Sequence, residues 1–200
     1  FPGIQGVGYA KIIAPNQLSA HIASVRAEGY PDYAIRPDGT RDIYTSIVYL
    51  EPFSGRNLRA FGFDMFSEPV RRAAMEQARD SANIAASGKV TLVQEDNGVP
   101  QAGFLLYAPV YRNGKIPASV EQRRAELQGY VYAPFRLGDF IAGLANFPSD
   151  QISVKIYDGV KAEPNALLYG NNHSAAVAAQ PYSHDTTLHI AGRPWLLAFS

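Results

Sequence analysis

Apolar positions along this chain follow two rhythms. Blocks rich in β-branched and aromatic residues, at 6–13, 43–50, 59–63, 89–95 and 103–111, have strand length and lie between Gly, Pro, Asn and Asp clusters. Other segments repeat every three to four residues. Leu18, Ile22 and Val25 follow Pro15-Asn16, so a helix starts there with Asn16 as its cap, and Gly29 closes it in a left-handed conformation. Ser67 is positioned to cap a second helix over 68–86, with Glu68 and Pro69 in its first turn. Its narrow apolar face is Val70, Ala74, Ala78 and Ile84, and Gly88 ends it. Asn97-Gly98 supplies the turn chemistry to join 89–95 and 103–111 as an antiparallel pair.

From Arg112 to Glu126 the pattern turns polar and charged, and a similar order of elements then restarts. Strands are expected at 129–133, 152–158, 166–169, 187–191 and 195–199, with a short helix over 137–145. The resulting expectation is an α+β fold of two small sheet-plus-helix modules, residues 1–112 and 113–200.

Composition narrows the function classes. Lys plus Arg equals Asp plus Glu at 18 each, so the bulk charge gives no positive field for a nucleic-acid partner. Without cysteine there are no disulfides and no thiolate metal sites. No apolar run approaches the ~18 residues that span a bilayer. The chain opens at Phe1 with no signal-peptide pattern and reads as part of something longer. His184, Asp185 and His189 lie close in sequence, but on a strand the odd separation puts the two histidines on opposite faces, so no metal site is expected. Nucleophile-elbow, zinc-protease and phosphate-loop motifs are absent, and the reading is of a non-enzyme without a cofactor. The 12 Tyr and 10 Phe concentrate on expected strands, Tyr44, Tyr49, Phe61, Phe63, Phe104 and Tyr107 among them. They either fill a core or line a cavity for a flat or apolar small molecule.

One acid breaks the aromatic pattern. Asp64 stands between Phe63 and Met65, where a carboxylate is costly to bury without a partner. That partner is either a basic side chain of this chain, Arg or Lys, with Arg59 nearest in sequence, or the start of the helix near Ser67, which Asp64 would cap, or the donor groups of a ligand. Around Asp64 run F-G-F-D-M-F-S at 61–67, A-S-G-K-V-T-L at 86–92 and Y-A-P-V-Y-R at 107–112. F-P-G-I-Q-G-V-G-Y-A precedes them, and L-Q-G-Y-V-Y-A-P-F-R-L-G-D-F-I at 127–141 and V-K-I-Y-D at 154–158 follow. In this order and spacing the chain resembles the CHASE domain, the extracytoplasmic sensory module of cytokinin-receptor kinases and many bacterial signalling proteins.

That resemblance implies a long N-terminal helix, not present in these 200 residues, then two PAS-like modules, membrane-distal and membrane-proximal. It places a small ligand in the first module, with Asp64 hydrogen-bonding an adenine-type ring and Leu92 in the pocket. Val99-Pro100-Gln101 stands where the receptors carry a threonine, and Ala108 where they carry a phenylalanine, so the ligand is left as an adenine-type or other flat heterocycle. With Tyr49 and Leu106, the candidate ligand-binding set is Asp64, Leu92, Tyr49, Leu106 and Ala108. The implied setting is periplasmic or otherwise extracytoplasmic, anchored through membrane segments outside this chain. The competing reading is a ligand-free transducer whose homodimerisation carries the signal.

Overall fold

The computed structural model describes residues 3–94, 101–143, 152–171 and 183–200. Among the described residues, nine strands form two antiparallel sheets. The first contains β1 (Val7–Ile13), β2 (Tyr44–Glu51), β3 (Ala85–Ala86), β4 (Gly103–Tyr111) and β5 (Leu127–Arg136), in the PAS-type order β2-β1-β5-β4-β3. The second contains β6 (Val154–Asp158), β7 (Leu167–Gly170), β8 (His184–Ile190) and β9 (Arg193–Phe199), ordered β7-β6-β9-β8. The helices are α1 (Leu18–Ala27), α2 (Pro69–Ser81), α3 (Val120–Glu126) and α4 (Leu137–Ala142). The architecture is α+β, as the element pattern implied.

The expected division at residue 112 does not separate the sheets. β5 pairs with β4 from Gly103–Arg136 to Tyr111–Leu127, and with β1 on its other side, so the first sheet runs on to Arg136. The polar stretch that reads as a linker is instead a docked connection between neighbouring strands. Ser119 and Gln122 form a reciprocal capping box at the start of α3. Arg124 then pairs with Asp80 on α2 at 2.6 Å. A charged helix tied to another helix has the same composition as a linker.

Helix α2 begins one residue later than its sequence signal. Glu68, not Ser67, is the N-cap, its carboxylate accepting from the Val70 and Arg71 backbone N–H groups at 2.9 Å each. Ser67 donates its hydroxyl to the Asp64 carbonyl instead. The buried stripe is Arg71, Ala74, Met75 and Ala78: it keeps Ala74 and Ala78 of the expected face and replaces exposed Val70 by Arg71, and Ala82 in the left-handed region ends the helix before Ile84. Helix α1 lacks the Asn16 cap; a 3-10 turn over Pro15–Gln17 leads into it.

Two expected strands are mostly irregular. Residues 59–63 belong to a 3-10 turn, Gly55–Ala60, and a tight bend at Gly62. Gly62 has φ +81°, and a Cβ there would meet the Ala34 carbonyl oxygen at 2.2 Å, so only glycine lets the chain pass so close. Within 89–95, residues 90–94 make one bridge, Val90 to Gly103, and Ala85–Ala86 supplies the ladder instead. Side chains satisfy this backbone: Ser87 Oγ accepts from Leu105 N at 2.9 Å, and Arg71 donates to the Thr91 carbonyl at 2.8 Å. The Asn97-Gly98 turn lies outside the described residues.

The first sheet has two different faces. Its inner face packs Ala10, Ile47, Leu105, Tyr107, Tyr130 and Tyr132 against Met65, Phe66 and the buried stripe of α2. On its outer face, Phe104 and Phe135 share a second core with α4 and with Val154, Ile156, Leu168 and Trp195. The two sheets are therefore joined by a hydrophobic core built on alternate residues of β4 and β5.

Candidate functional site

Asp64 lies in the first module with 0% exposure. Its Oδ1 accepts from Thr45 N at 2.8 Å, Thr45 Oγ1 at 3.1 Å and Phe66 N at 3.1 Å. Oδ2 makes no hydrogen bond among the described residues and faces Arg41 Nε at 3.4 Å. The acid thus caps the 3-10 turn Met65–Ser67 and pairs with an arginine, both of which sequence logic allows for it. That arginine is Arg41.

Arg41 forms one wall of a cleft of about 230 Å³. Ile12, Ile43, Phe66 and Leu127 give the cleft an apolar lining, while Arg41, Asp42, Arg72, Glu76, Arg79 and Arg124 supply charge. Helix geometry explains the clustering: positions 72, 76 and 79 share one side of α2, and α3 brings Arg124 opposite. Asp80 organises the far rim, bonding Arg79 Nε at 2.6 Å and Arg124 Nη2 at 2.6 Å. Arg124 first, then Arg79, hold its carboxyl far below the usual carboxylate range. Tyr130 is wholly buried next to Phe66, with ring centroids 6.4 Å apart. Its hydroxyl has no hydrogen-bond partner among the described residues, and its charged neighbours are Arg79, Glu76 and Asp80. Burial, the dominant cause, pushes the Tyr130 hydroxyl pKa far above that of a free tyrosine.

The five sequence candidates do not converge. Asp64 and Leu92 lie on the inner side, Leu92 buried over Gly103 in the first core. Leu106 is in phase with Phe104 and packs on the second core. Ala108 shares that phase and stands opposite Val131, while Val131 and Tyr49 both flank Tyr9. Tyr49, Tyr9, Val131 and Ala108 therefore form one row across the outer face, with Tyr49 73% exposed. Tyr49 lines a broader outer groove, about 1030 Å³, with Tyr9, His21, Tyr30 and Phe53. His184 and His189 sit on opposite faces of exposed β8, and no group of metal-ligating side chains converges among the described residues.

Sequence reasoning missed Arg41, Arg72, Glu76 and Arg71. Arg71 is buried, donating to Glu68 at 3.2 Å and lying 5.4 Å from the Phe63 ring centroid. Its signal was its phase: positions 71, 74, 75 and 78 carry helical spacing. Arg41 had none, because it comes from a turn-rich loop.

The family model for the CHASE domain matches residues 1–169. No curated protein matches the sequence. Among solved structures, an extracellular ligand binding receptor from Desulfohalobium retbaense DSM5692 is similar at 14% identity and TM-score 0.44, covering 77% of this chain. This chain spans 28% of that receptor's length. A methyl-accepting chemotaxis protein X is also similar, at 14% identity and TM-score 0.44, over 97% of this chain and 73% of that one. With the match extending over most of its length, the chain belongs to the CHASE domain family of extracellular sensory domains.

Proposed function

We propose that this chain is the extracytoplasmic sensory region of a membrane signalling protein, binding a small molecule in the cleft of its first module and relaying the change through the second. The observation that carries the reading is the base of the cleft. There, Arg41 covers a fully buried carboxylate whose second oxygen lies 3.4 Å from Arg41 Nε but has no hydrogen bond among the described residues. A buried group left in that state is costly, and a ligand engaging Arg41 changes the balance of the pair.

Helix α2 supports the relay. One side presents Arg72, Glu76 and Arg79 to the cleft, another fills the core, and Gln77 lies against Gly192 in the turn between β8 and β9. Past the helix, Ala86 N donates to the Ala191 carbonyl of the same turn at 3.1 Å. A ligand that displaces α2 acts on the second module directly, provided its affinity differs between the two positions. Asp64 acts at one remove, holding Arg41 and the Met65–Ser67 turn in place.

Thermal-shift and calorimetric titration with amino acids, organic acids, adenine derivatives and other flat heterocycles test the reading. A ligand at 100 times its Kd adds roughly 2.7 kcal/mol of stability. The reading fails if nothing in so broad a panel stabilises the chain.

The outer row favours a second reading, in which a second copy covers Tyr49 and Val131, exposed at 73% and 41%. Sedimentation equilibrium distinguishes it: a dimer lost on Tyr49→Ser supports it, and a monomer at all concentrations removes it.

A further inference from the structure

We infer that the cleft takes a small aliphatic zwitterion, a free amino acid bearing both a carboxylate and an ammonium group. The inference rests on the reading that the first module binds a small molecule in this cleft, and it names the ligand's chemistry. Four guanidinium groups line the site, and three of them already touch a carboxylate. Arg41 pairs with Asp64 at 3.4 Å, while Arg79 and Arg124 share Asp80. Arg72 meets no carboxylate among the described residues; Nε donates to the Phe66 carbonyl at 2.8 Å, and Nη2 donates to the same oxygen. It is the cleft's cation without a counter-ion.

The acids show the converse. Asp42 and Glu76 line the cleft, and neither carboxylate has a hydrogen bond or ion pair among the described residues. Next to Phe66 of the lining, buried Tyr130 carries a hydroxyl with no hydrogen-bond partner among the described residues. An anionic ligand would meet Asp42 and Glu76 with like charge. A purely cationic one would meet four arginines. A neutral ring would remove water from charges of both signs and pair none of them. A zwitterion pairs both: carboxylate to Arg72, ammonium to Glu76 and Asp42.

Size and lining set the rest. At about 230 Å³ the cleft falls below the roughly 300 Å³ at which drug-sized sites begin. Ile12, Ile43, Phe66 and Leu127 offer an apolar wall for an aliphatic side chain.

Isothermal titration of the chain with leucine, valine and 4-aminobutyrate, each beside its methyl ester and its N-acetyl derivative, tests this, with adenine as the flat neutral probe. A free amino acid is expected to bind. Loss of either charge, and each of Arg72→Gln and Glu76→Gln, should weaken binding at least tenfold, about the loss of one charged hydrogen bond. Val160→Ser, in the exposed bend that follows β6, should leave binding unchanged. Circular dichroism melts confirm that each variant is folded at the titration temperature. If adenine binds and the amino acids do not, or if the ester and N-acetyl forms bind as well as the parent, the zwitterion assignment is wrong and the sensory reading stands. If no compound binds, the zwitterion assignment is wrong, and the sensory reading is decided by the broader panel above.

Discussion

Asp64 combines the highest burial with the most partners of any acid in the first module, which makes it a structural keystone before it is anything else. Replacing it by Ala leaves Thr45 N without its acceptor, takes one of two acceptors from Phe66 N, and leaves Arg41 without its counter-charge. Removing one member of a buried pair costs roughly 3–5 kcal/mol, so Asp64→Ala should shift the urea midpoint far more than Asp64→Asn, which keeps an acceptor oxygen. Equal midpoints for the two variants would refute that role. His21 makes a second residue-scale prediction. Its Nε2 bonds the Tyr33 hydroxyl at 2.9 Å, which bonds Ser46 Oγ at 2.7 Å, next in sequence to Thr45. Burial lowers the His21 pKa, helped by Lys11 and opposed by Glu28. A depressed histidine favours the neutral native state, so its contribution is present above the ordinary value of 6.5 and is lost on acidification through it. Between about pH 8 and about pH 5 the melting temperature should fall more for the wild type than for His21→Gln. Parallel curves would sink this.

At the scale of elements, pattern located most strands and helices but misjudged phase and pairing. Position 103 to 111 was legible as a strand because nothing interrupts its apolar run, and β4 spans those residues. The helix face at α2 was legible at Ala74 and Ala78 but not at Arg71, which looks like a solvent residue yet is buried by donating to Thr91 O and Glu68. Arg71→Ala should cost roughly 1–3 kcal/mol, the price of an unsatisfied buried carbonyl, and should increase amide exchange in residues 90–94. Unchanged exchange there would show that Arg71 does not hold this segment. The cleft was illegible for a related reason. Its lining comes from five separate stretches brought together by the sheet order and α3, and no spacing in the sequence records that meeting. Asp64 was legible as an oddity; its partner was not.

For the whole molecule, the two sheets are held by more than apolar contact. Asp158 on β6 accepts from Lys89 N at 2.8 Å and from Arg193 Nη2 at 2.8 Å, and Lys89 Nζ donates to the Asn165 carbonyl at 3.0 Å. Gly88 packs tightly here, with Arg193, Asp158 and Val70 all near its missing side chain. The segment leaving α2 is thus clamped to the second sheet by a carboxylate that is mostly buried. Asp158→Asn should cost roughly 1.5–3 kcal/mol and loosen the second module while the inner core of the first stays formed. Proteolysis or exchange that rises uniformly through both sheets would contradict that separation.

Trp195 is the chain's single tryptophan, and it is buried edge-on against Phe104, ring centroids 4.9 Å apart, where the outer face of the first sheet meets the second. Its indole N–H has no acceptor among the described residues, so water reaching that seam would find a donor waiting. The molecule therefore carries its own optical gauge at the joint: tryptophan emission comes from one place, and its colour reads how dry that place is. A red shift on adding a ligand would report parting of the sheets in real time, without a label and without any assumption about what lies downstream.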